Sequence, residues 1–173
     1  MLTLSLFPVT GEPVLNWKAV SGAQYYEIYR ADGDGEFVLL ASQAELSYSD
    51  LQAYPDSLYT YKVVAVADDS RLNSESDAKS IYAACPSTVI TVALGENGKP
   101  EVEWDSVDAA KEYHIYRSTK STSGFKKIGT ASAEEYCYTD SKASKGKTYY
   151  YKVVVVCENT ESAFSNVAKI KSK

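Results

Sequence analysis

The 173-residue chain has few of the residues on which most enzyme chemistry depends: it contains a single histidine, His114, and only three cysteines. No Cys-x-x-Cys pair is present, so a zinc-ribbon type of metal site has no ligands. No stretch approaches the roughly 18 consecutive apolar residues that a membrane helix needs. Lysine and arginine number 18 against 23 acidic residues, a balance that disfavours nucleic-acid binding. We therefore expect no metal, no cofactor, no nucleic-acid partner and no membrane span.

The residues that are present do not assemble a catalytic set either. Nucleophilic or acid–base catalysis needs a histidine with partners, or paired carboxylates in a cleft. His114 lies between Tyr113 and Ile115 on the outward side of a predicted strand, where no such partners are evident. The acidic turn Asp32–Glu36 has a superficial likeness to a calcium loop but lacks the remaining ligands. We predict a flexible turn there and a protein that is not an enzyme.

Tyrosine, by contrast, is abundant, with 15 residues, and much of it belongs to an internal repeat. The segment Trp17–Arg30 aligns without gaps with Trp104–Arg117 and is identical at seven positions. Further along, Tyr59–Val66 matches Tyr149–Val156. Self-similarity at this period indicates that one structural unit occurs twice in the chain.

The repeat predicts two domains, residues 1–85 and 86–173, joined by a very short connector at Pro86. The first carries five basic and twelve acidic residues, a net charge of −7, and the second thirteen and eleven, a net charge of +2. We interpret the negative charge of the first domain as an acidic surface that is exposed to solvent. A modest electrostatic attraction between copies, screened by salt, is the alternative.

Each half consists of short runs rich in tyrosine, valine, isoleucine and leucine, separated by turn clusters. Seven such runs in 85–90 residues predict a β-sandwich. The longest predicted strands are Leu58–Ala67 and Thr148–Cys157, and the last strand of each half is predicted at Ser76–Ala83 and Ser162–Ile170. No segment shows a helical period of apolar residues.

Strand alternation predicts which side chains are structural. Trp17 and Trp104 share the inward side of their strands, so each indole is expected between the two sheets of its own sandwich. Burying such a ring removes on the order of 150–250 Å² from water. We therefore expect that Trp17→Ala or Trp104→Ala unfolds the domain that carries it.

The order Trp…Tyr-x-Ile-x-Arg…Tyr-Ser-Asp-Leu…Tyr-x-Tyr-x-Val, present in both halves with small departures, resembles the fibronectin type III family in the variant common in bacterial extracellular proteins. The resemblance implies an all-β chain of two immunoglobulin-like sandwiches in tandem, with strands A, B and E facing C, C′, F and G. It also implies that Tyr59 and Tyr149 are tyrosine-corner residues that bond back to the upstream backbone. Leu51 takes the family's E–F leucine position, whereas the second half has Ser141 or Lys142 there, so we expect a different packing at that corner.

The function that the resemblance implies is a non-catalytic spacer or protein-interaction module of a secreted or cell-surface bacterial protein, alongside other domains of a larger parent chain. Two alternatives stay open: an accessory, carbohydrate-binding module of a polysaccharide-degrading enzyme, and an adhesin that binds a host or bacterial protein. The start Met1–Leu6 has no basic residue and reads as a strand rather than a signal peptide. We therefore expect an excised fragment of an extracellular or cell-surface protein.

The outward face of the sheet that contains strands C and F carries tyrosines and valines where a solvated face should be polar. One interpretation is strand propensity, with the stems of nearby lysines and arginines covering the apolar atoms. The other is a recognition face for a protein or a sugar, with Tyr116 and Tyr150 on adjacent strands as the platform and Tyr29 as the related residue of the first domain.

The cysteines predict no disulfide. Cys137 is expected to point outward on strand E, because Tyr136 and Tyr138 are expected to point inward, whereas Cys157 follows the inward side of strand F on the opposite sheet. Two side chains on different faces cannot reach the Cβ separation of about 4 Å that a disulfide requires.

Overall fold

The computed structural model describes all 173 residues and divides them into two compact units, Met1–Ala84 (unit 1) and Cys85–Lys173 (unit 2). Both units consist of antiparallel β-strands, and the one helical segment is a single 3-10 turn at Ser70–Leu72. No helix is therefore of a length that could cross a membrane. The all-β fold predicted from the short strand-like runs is confirmed.

Unit 1 is a sandwich of two sheets. Its strands are β1 (Thr3–Leu6), β2 (Pro13–Asn16), β3 (Ala23–Asp32), β4 (Val38–Gln43), β5 (Ser47–Ser49), β6 (Leu58–Ala67), β7 (Ser74–Glu75) and β8 (Lys79–Tyr82). One sheet has the order β1-β2-β5, and the other has the order β4-β3-β6-β7, with β8 also paired to β6. In the family's lettering, β1, β2 and β5 are strands A, B and E. Strands β4, β3 and β6 are C′, C and F, and β7 and β8 together take the place of G. The two sheets therefore divide the strands as the resemblance implies.

Unit 2 repeats the arrangement with seven strands. They are β9 (Ile90–Leu94), β10 (Pro100–Trp104), β11 (Glu112–Ser118), β12 (Lys126–Ser132), β13 (Cys137–Thr139), β14 (Thr148–Val156) and β15 (Ala168–Lys171). Its sheets have the orders β13-β10-β9 and β12-β11-β14-β15. Pro13 and Pro100 each begin the central strand of a three-stranded sheet, the position at which a strand tolerates the missing N–H.

Each unit has a core of its own, built by strand alternation. Along β6, Tyr59, Tyr61, Val63 and Ala65 are buried and the residues between them are more exposed, as the period of two requires. The two clusters share no residue. Their members include Leu15, Trp17, Tyr26, Ile28, Tyr59 and Tyr61 in unit 1, and Val102, Trp104, Tyr113, Ile115, Tyr149 and Tyr151 in unit 2.

Both tryptophans lie between the sheets of their own unit. Trp17 is 8% and Trp104 6% exposed, and each ring packs against a tyrosine, with centroid separations of 5.7 Å to Tyr26 and 5.1 Å to Tyr113. The indole Nε1 of each tryptophan has no hydrogen-bond partner within the protein. The two rings contribute apolar contact rather than polar bonding.

The last strand of each unit is shorter than predicted. Serine side chains replace part of the backbone ladder, because the Val63 N–H donates to Ser76 Oγ at 3.0 Å and the Val153 N–H donates to Ser165 Oγ at 2.9 Å. The regular pairing is therefore confined to β7 and β8 in unit 1 and to β15 in unit 2.

The prediction of no disulfide is wrong. Cys85 is bonded to Cys157, with their Cα atoms 6.4 Å apart. The prediction tested only Cys137 against Cys157, and Cys137 is indeed free and exposed. Cys85 was overlooked because it stands at the seam between the repeats, where strand alternation gives no direction for its side chain. The companion expectation for Tyr136 is also wrong, since that ring is exposed just before β13 begins.

Leu51 does not fill the interior position that the resemblance implies. Its side chain is 78% exposed, and Ala53 packs against the core of unit 1 instead. Ala143 takes the same place in unit 2 and is buried. The two corners therefore pack alike, contrary to the expected difference, because the residue that fills each corner is an alanine common to both repeats.

Candidate functional site

A buried carboxylate lies at the same place in both units. In unit 1 Asp50 is fully buried and accepts hydrogen bonds from the Tyr61 hydroxyl at 2.7 Å and from an Arg30 guanidinium nitrogen at 2.9 Å. The guanidinium also lies 4.7 Å from the centre of the Tyr59 ring. Burial, and next the hydrogen bond to Asp50, raise the pKa of Tyr61. Burial opposes the charge on Arg30, but Asp50 raises the pKa of Arg30 on balance.

Unit 2 repeats this constellation. Asp140 accepts from Tyr151 at 2.7 Å and from Arg117 at 2.6 Å, and Arg117 lies 4.7 Å from the centre of the Tyr149 ring. Both carboxylates are buried inside their sandwich, so neither is accessible to a substrate from solvent. The constellation is structural. Its signal in the sequence is an aspartate and an arginine that recur at matching positions of both repeats, and it was not among the predicted sites.

The two tyrosine-corner residues make the backbone contact that the resemblance implies. The Tyr59 hydroxyl accepts a hydrogen bond from the Tyr54 N–H at 2.9 Å, and the Tyr149 hydroxyl accepts one from the Ser144 N–H at 3.1 Å. In both units the donor lies five residues upstream. Each bond fixes the loop that connects the two sheets.

The outer face of unit 2 carries an aromatic cluster around a lysine. The Lys152 ammonium lies 4.8 Å from the centre of the Phe125 ring and 4.9 Å from that of Phe164. The Tyr116 ring meets Phe164 edge-on at 5.1 Å, and Lys169 lies 5.8 Å from the Tyr150 ring. Strand alternation points to the tyrosines, whereas Phe125 and Phe164, which lie outside the observed strands, were not predicted as part of this face.

Unit 1 has a more polar version of this face. Lys62 lies 5.4 Å from the Tyr29 ring and 4.6 Å from the Phe37 ring, and it forms an ion pair with Glu75 at 3.1 Å. The Tyr29 hydroxyl donates to Glu27 at 2.7 Å, and this bond raises the pKa of Tyr29. Lys62 of unit 1 thus has a carboxylate partner in Glu75. Its counterpart in unit 2, Lys152, instead lies between the rings of Phe125 and Phe164.

The predicted platform of Tyr116 and Tyr150 is diagonal rather than side by side. Tyr116 lies opposite Lys152 in the ladder, whereas Tyr150 lies opposite Ser118. Both rings are half-buried, and lysine ammonium groups lie beside the face that they form. A role in binding for Tyr116, Tyr150 and Tyr29 stays a prediction.

The remaining polar candidates form no reactive set. His114 contacts the Glu112 carboxylate at 2.5 Å on the outer face. Asp32, in the acidic turn, accepts a hydrogen bond from Arg30 at 2.8 Å. No group of three or more histidine, cysteine or acidic side chains is arranged to hold a metal ion.

Known proteins resemble the chain at two levels, sequence and fold, although no family model matches it. An amylopullulanase from Thermoanaerobacter thermohydrosulfuricus is 39% identical over 75 residues, and one from Thermoanaerobacterium thermosulfurigenes is 47% identical over 60 residues. These matches cover 43% and 35% of the chain but only 5% and 3% of the two enzymes. A two-domain fibronectin type III segment of chicken tenascin superposes on 99% of the chain, and 98% of the segment is covered, with a TM-score of 0.60 at 16% identity.

Both units have the fibronectin type III fold. The amylopullulanase matches are confined to a small part of those enzymes, and the fold of this chain is that of a fibronectin type III module. The chain is therefore a non-catalytic module rather than a catalytic domain.

Proposed function

We propose that this chain is a tandem fibronectin type III accessory module of a secreted bacterial enzyme that degrades neutral glucans of the pullulan type. The observation that carries the proposal is the 39–47% identity to segments of two bacterial amylopullulanases. The matched segments are 75 and 60 residues long. The two units of this chain have the fibronectin type III fold, and their side chains form no catalytic set. The chain would then contribute binding or spacing while another domain hydrolyses the glycosidic bond.

The disulfide supports the extracellular part of the proposal. Cys85 and Cys157 are bonded, and disulfides persist in oxidising compartments but are rare in the bacterial cytosol. Spacing by the folded sandwiches is compatible with the same role. The adhesin alternative stays a prediction, since no contact in either unit favours a host or bacterial protein as the partner.

The test is the complete reading frame that contains this chain, followed by an assay of the polypeptide that it encodes. We expect a glycoside hydrolase domain in the same polypeptide. The intact protein should release reducing sugar from pullulan, and residues 1–173 alone should release none. A reading frame with no hydrolase domain, or with a sorting signal and many further sandwich repeats, would contradict the proposal.

A further inference from the structure

The two units are the same scaffold with different surfaces, and the ladder gives the equivalent positions directly. Leu39 pairs with Tyr29 in unit 1, and Lys127 pairs with Tyr116 in unit 2. One step along each strand, Val38 corresponds to Lys126. The bonds to Tyr59 and Tyr149 make Tyr54 equivalent to Ser144 in the same way.

Unit 1 exposes four large apolar side chains around two neighbouring clefts. Val38 is 64%, Leu39 47%, Leu51 78% and Tyr54 76% exposed. Monomeric proteins seldom expose several large apolar side chains together unless the patch has a use. Each of these four residues lines one of two shallow clefts of about 450 and 490 Å³, and both clefts include Arg30 and Gln52. We call this surface, defined by Val38, Leu39, Leu51, Gln52 and Tyr54, the unit 1 cleft.

Unit 2 replaces the whole set with small or charged residues. The counterparts of Val38, Leu39, Leu51, Gln52 and Tyr54 are Lys126, Lys127, Ser141, Lys142 and Ser144. All five are exposed. The scaffold therefore does not require apolar residues at these positions, and their presence in unit 1 needs a reason other than folding.

The unit 1 cleft is held in a fixed shape. The Tyr54 N–H is bonded to Tyr59, and Pro55 restricts the backbone of Tyr54 to extended conformations. The Gln52 N–H donates to the buried Asp50 carboxylate at 3.1 Å. Both ends of the loop are thus tied to the buried constellation. A ligand that contacts Gln52 and Tyr54 would order little additional backbone, which lowers the entropic cost of binding.

The chemistry of the cleft suits a sugar chain. Aromatic and aliphatic side chains can pack on the C–H faces of sugar rings, while the Gln52 amide and the exposed Asp32 and Glu36 carboxylates, which line the same surface, can bond to hydroxyl groups. Unit 1 has a net charge of −7, and the one guanidinium in the cleft, that of Arg30, is already committed to Asp50 and Asp32. An acidic surface of this kind disfavours a polyanion, so among polysaccharides it favours a neutral one.

We propose that the unit 1 cleft is a binding site for a neutral glucan chain. Tyr54 provides the aromatic surface, Gln52 and the neighbouring carboxylates bond to hydroxyl groups, and Val38, Leu39 and Leu51 provide the apolar wall. The inference rests on the proposed function for the identity of the polymer. Unit 2 has no equivalent site.

Calorimetric titration of the full chain with maltoheptaose and with pullulan tests this site. The variant Leu51→Ser/Gln52→Lys/Tyr54→Ser gives unit 1 the residues that unit 2 already carries on the same loop, so it is expected to fold. Binding should weaken about tenfold or more in this variant. The control Tyr136→Ser removes an exposed tyrosine from unit 2 and should bind as the parent does, and polygalacturonate should not bind either protein.

Three results would overturn the site. One is no binding of either glucan by the parent chain, and another is equal binding by the parent and the triple variant. The third is loss of binding in Tyr116→Ala/Tyr150→Ala with the triple variant unaffected, which would move the site to the outer face of unit 2. Light scattering completes the test. If the parent chain is a dimer that binds no glucan and the triple variant is a monomer, the cleft is a self-association surface. A hydrolase domain in the reading frame together with a null titration would refute the cleft and leave the accessory role standing.

Discussion

At the scale of single residues, the interaction between Asp50 and Tyr61 has the clearest energetic consequence. The Asp50 carboxylate is fully buried, and Tyr61 supplies one of its two side-chain donors. Tyr61→Phe removes one of the two side-chain hydrogen bonds to Asp50 Oδ2, and a hydrogen bond to a charged group contributes about 1.5–3 kcal/mol. We expect urea unfolding to show a loss of this size in unit 1, with Tyr25→Phe, a change to an exposed tyrosine, close to neutral. Equal effects of the two substitutions would contradict the argument.

The same hydroxyl groups predict a dependence on alkaline pH. Burial raises the pKa of Tyr61 and of Tyr151 in the folded protein, whereas an unfolded tyrosine titrates near pH 10. Above about pH 10 the unfolded chain therefore holds fewer protons than the native chain, and the free energy of unfolding falls as pH rises. We expect unfolding series at pH 8, 10 and 11 to show a steeper decline for the parent than for Tyr61→Phe/Tyr151→Phe. A decline of equal slope in both proteins would exclude these tyrosines as its source.

At the scale of elements, the sequence predicts a strand well where alternation is long and uninterrupted. Leu58–Ala67 was predicted with the bounds that β6 has, because Tyr59, Tyr61 and Val63 on its inward side are strand-favouring types. The final strands were overextended, because the serine side chains that interrupt the ladder look no different in sequence from solvated ones. The unit 1 cleft was missed for a related reason. The resemblance assigns Leu51 to the interior of the E–F corner, and only the position of Ala53 shows that this place is already filled.

The disulfide is the element-scale feature with the largest expected effect. Cys85 and Cys157 are 72 residues apart in sequence, and closing a loop of that length restricts the unfolded chain by about 4 kcal/mol in the chain-entropy model. We expect a reductant to lower the melting temperature of unit 2 and to leave unit 1 unchanged in differential scanning calorimetry. Cys137→Ser, which removes the free thiol, should respond to reductant as the parent does. A reductant that shifts unit 1 and unit 2 equally, or neither, would contradict this assignment.

At the scale of the whole molecule, the two cores share no residue, and the disulfide lies within unit 2. Each unit buries its own tryptophan, and the hydrogen bonds to its buried aspartate come from its own arginine and tyrosine. Each unit therefore contains the interactions that an independent domain requires. We therefore expect residues 1–84 and 85–173, produced separately, each to give a dispersed amide spectrum and a cooperative unfolding transition. Residues 1–84 should retain the glucan binding of the full chain, and residues 85–173 should show none. If only the full chain folds, the two sandwiches depend on each other in a way that their separate cores do not indicate.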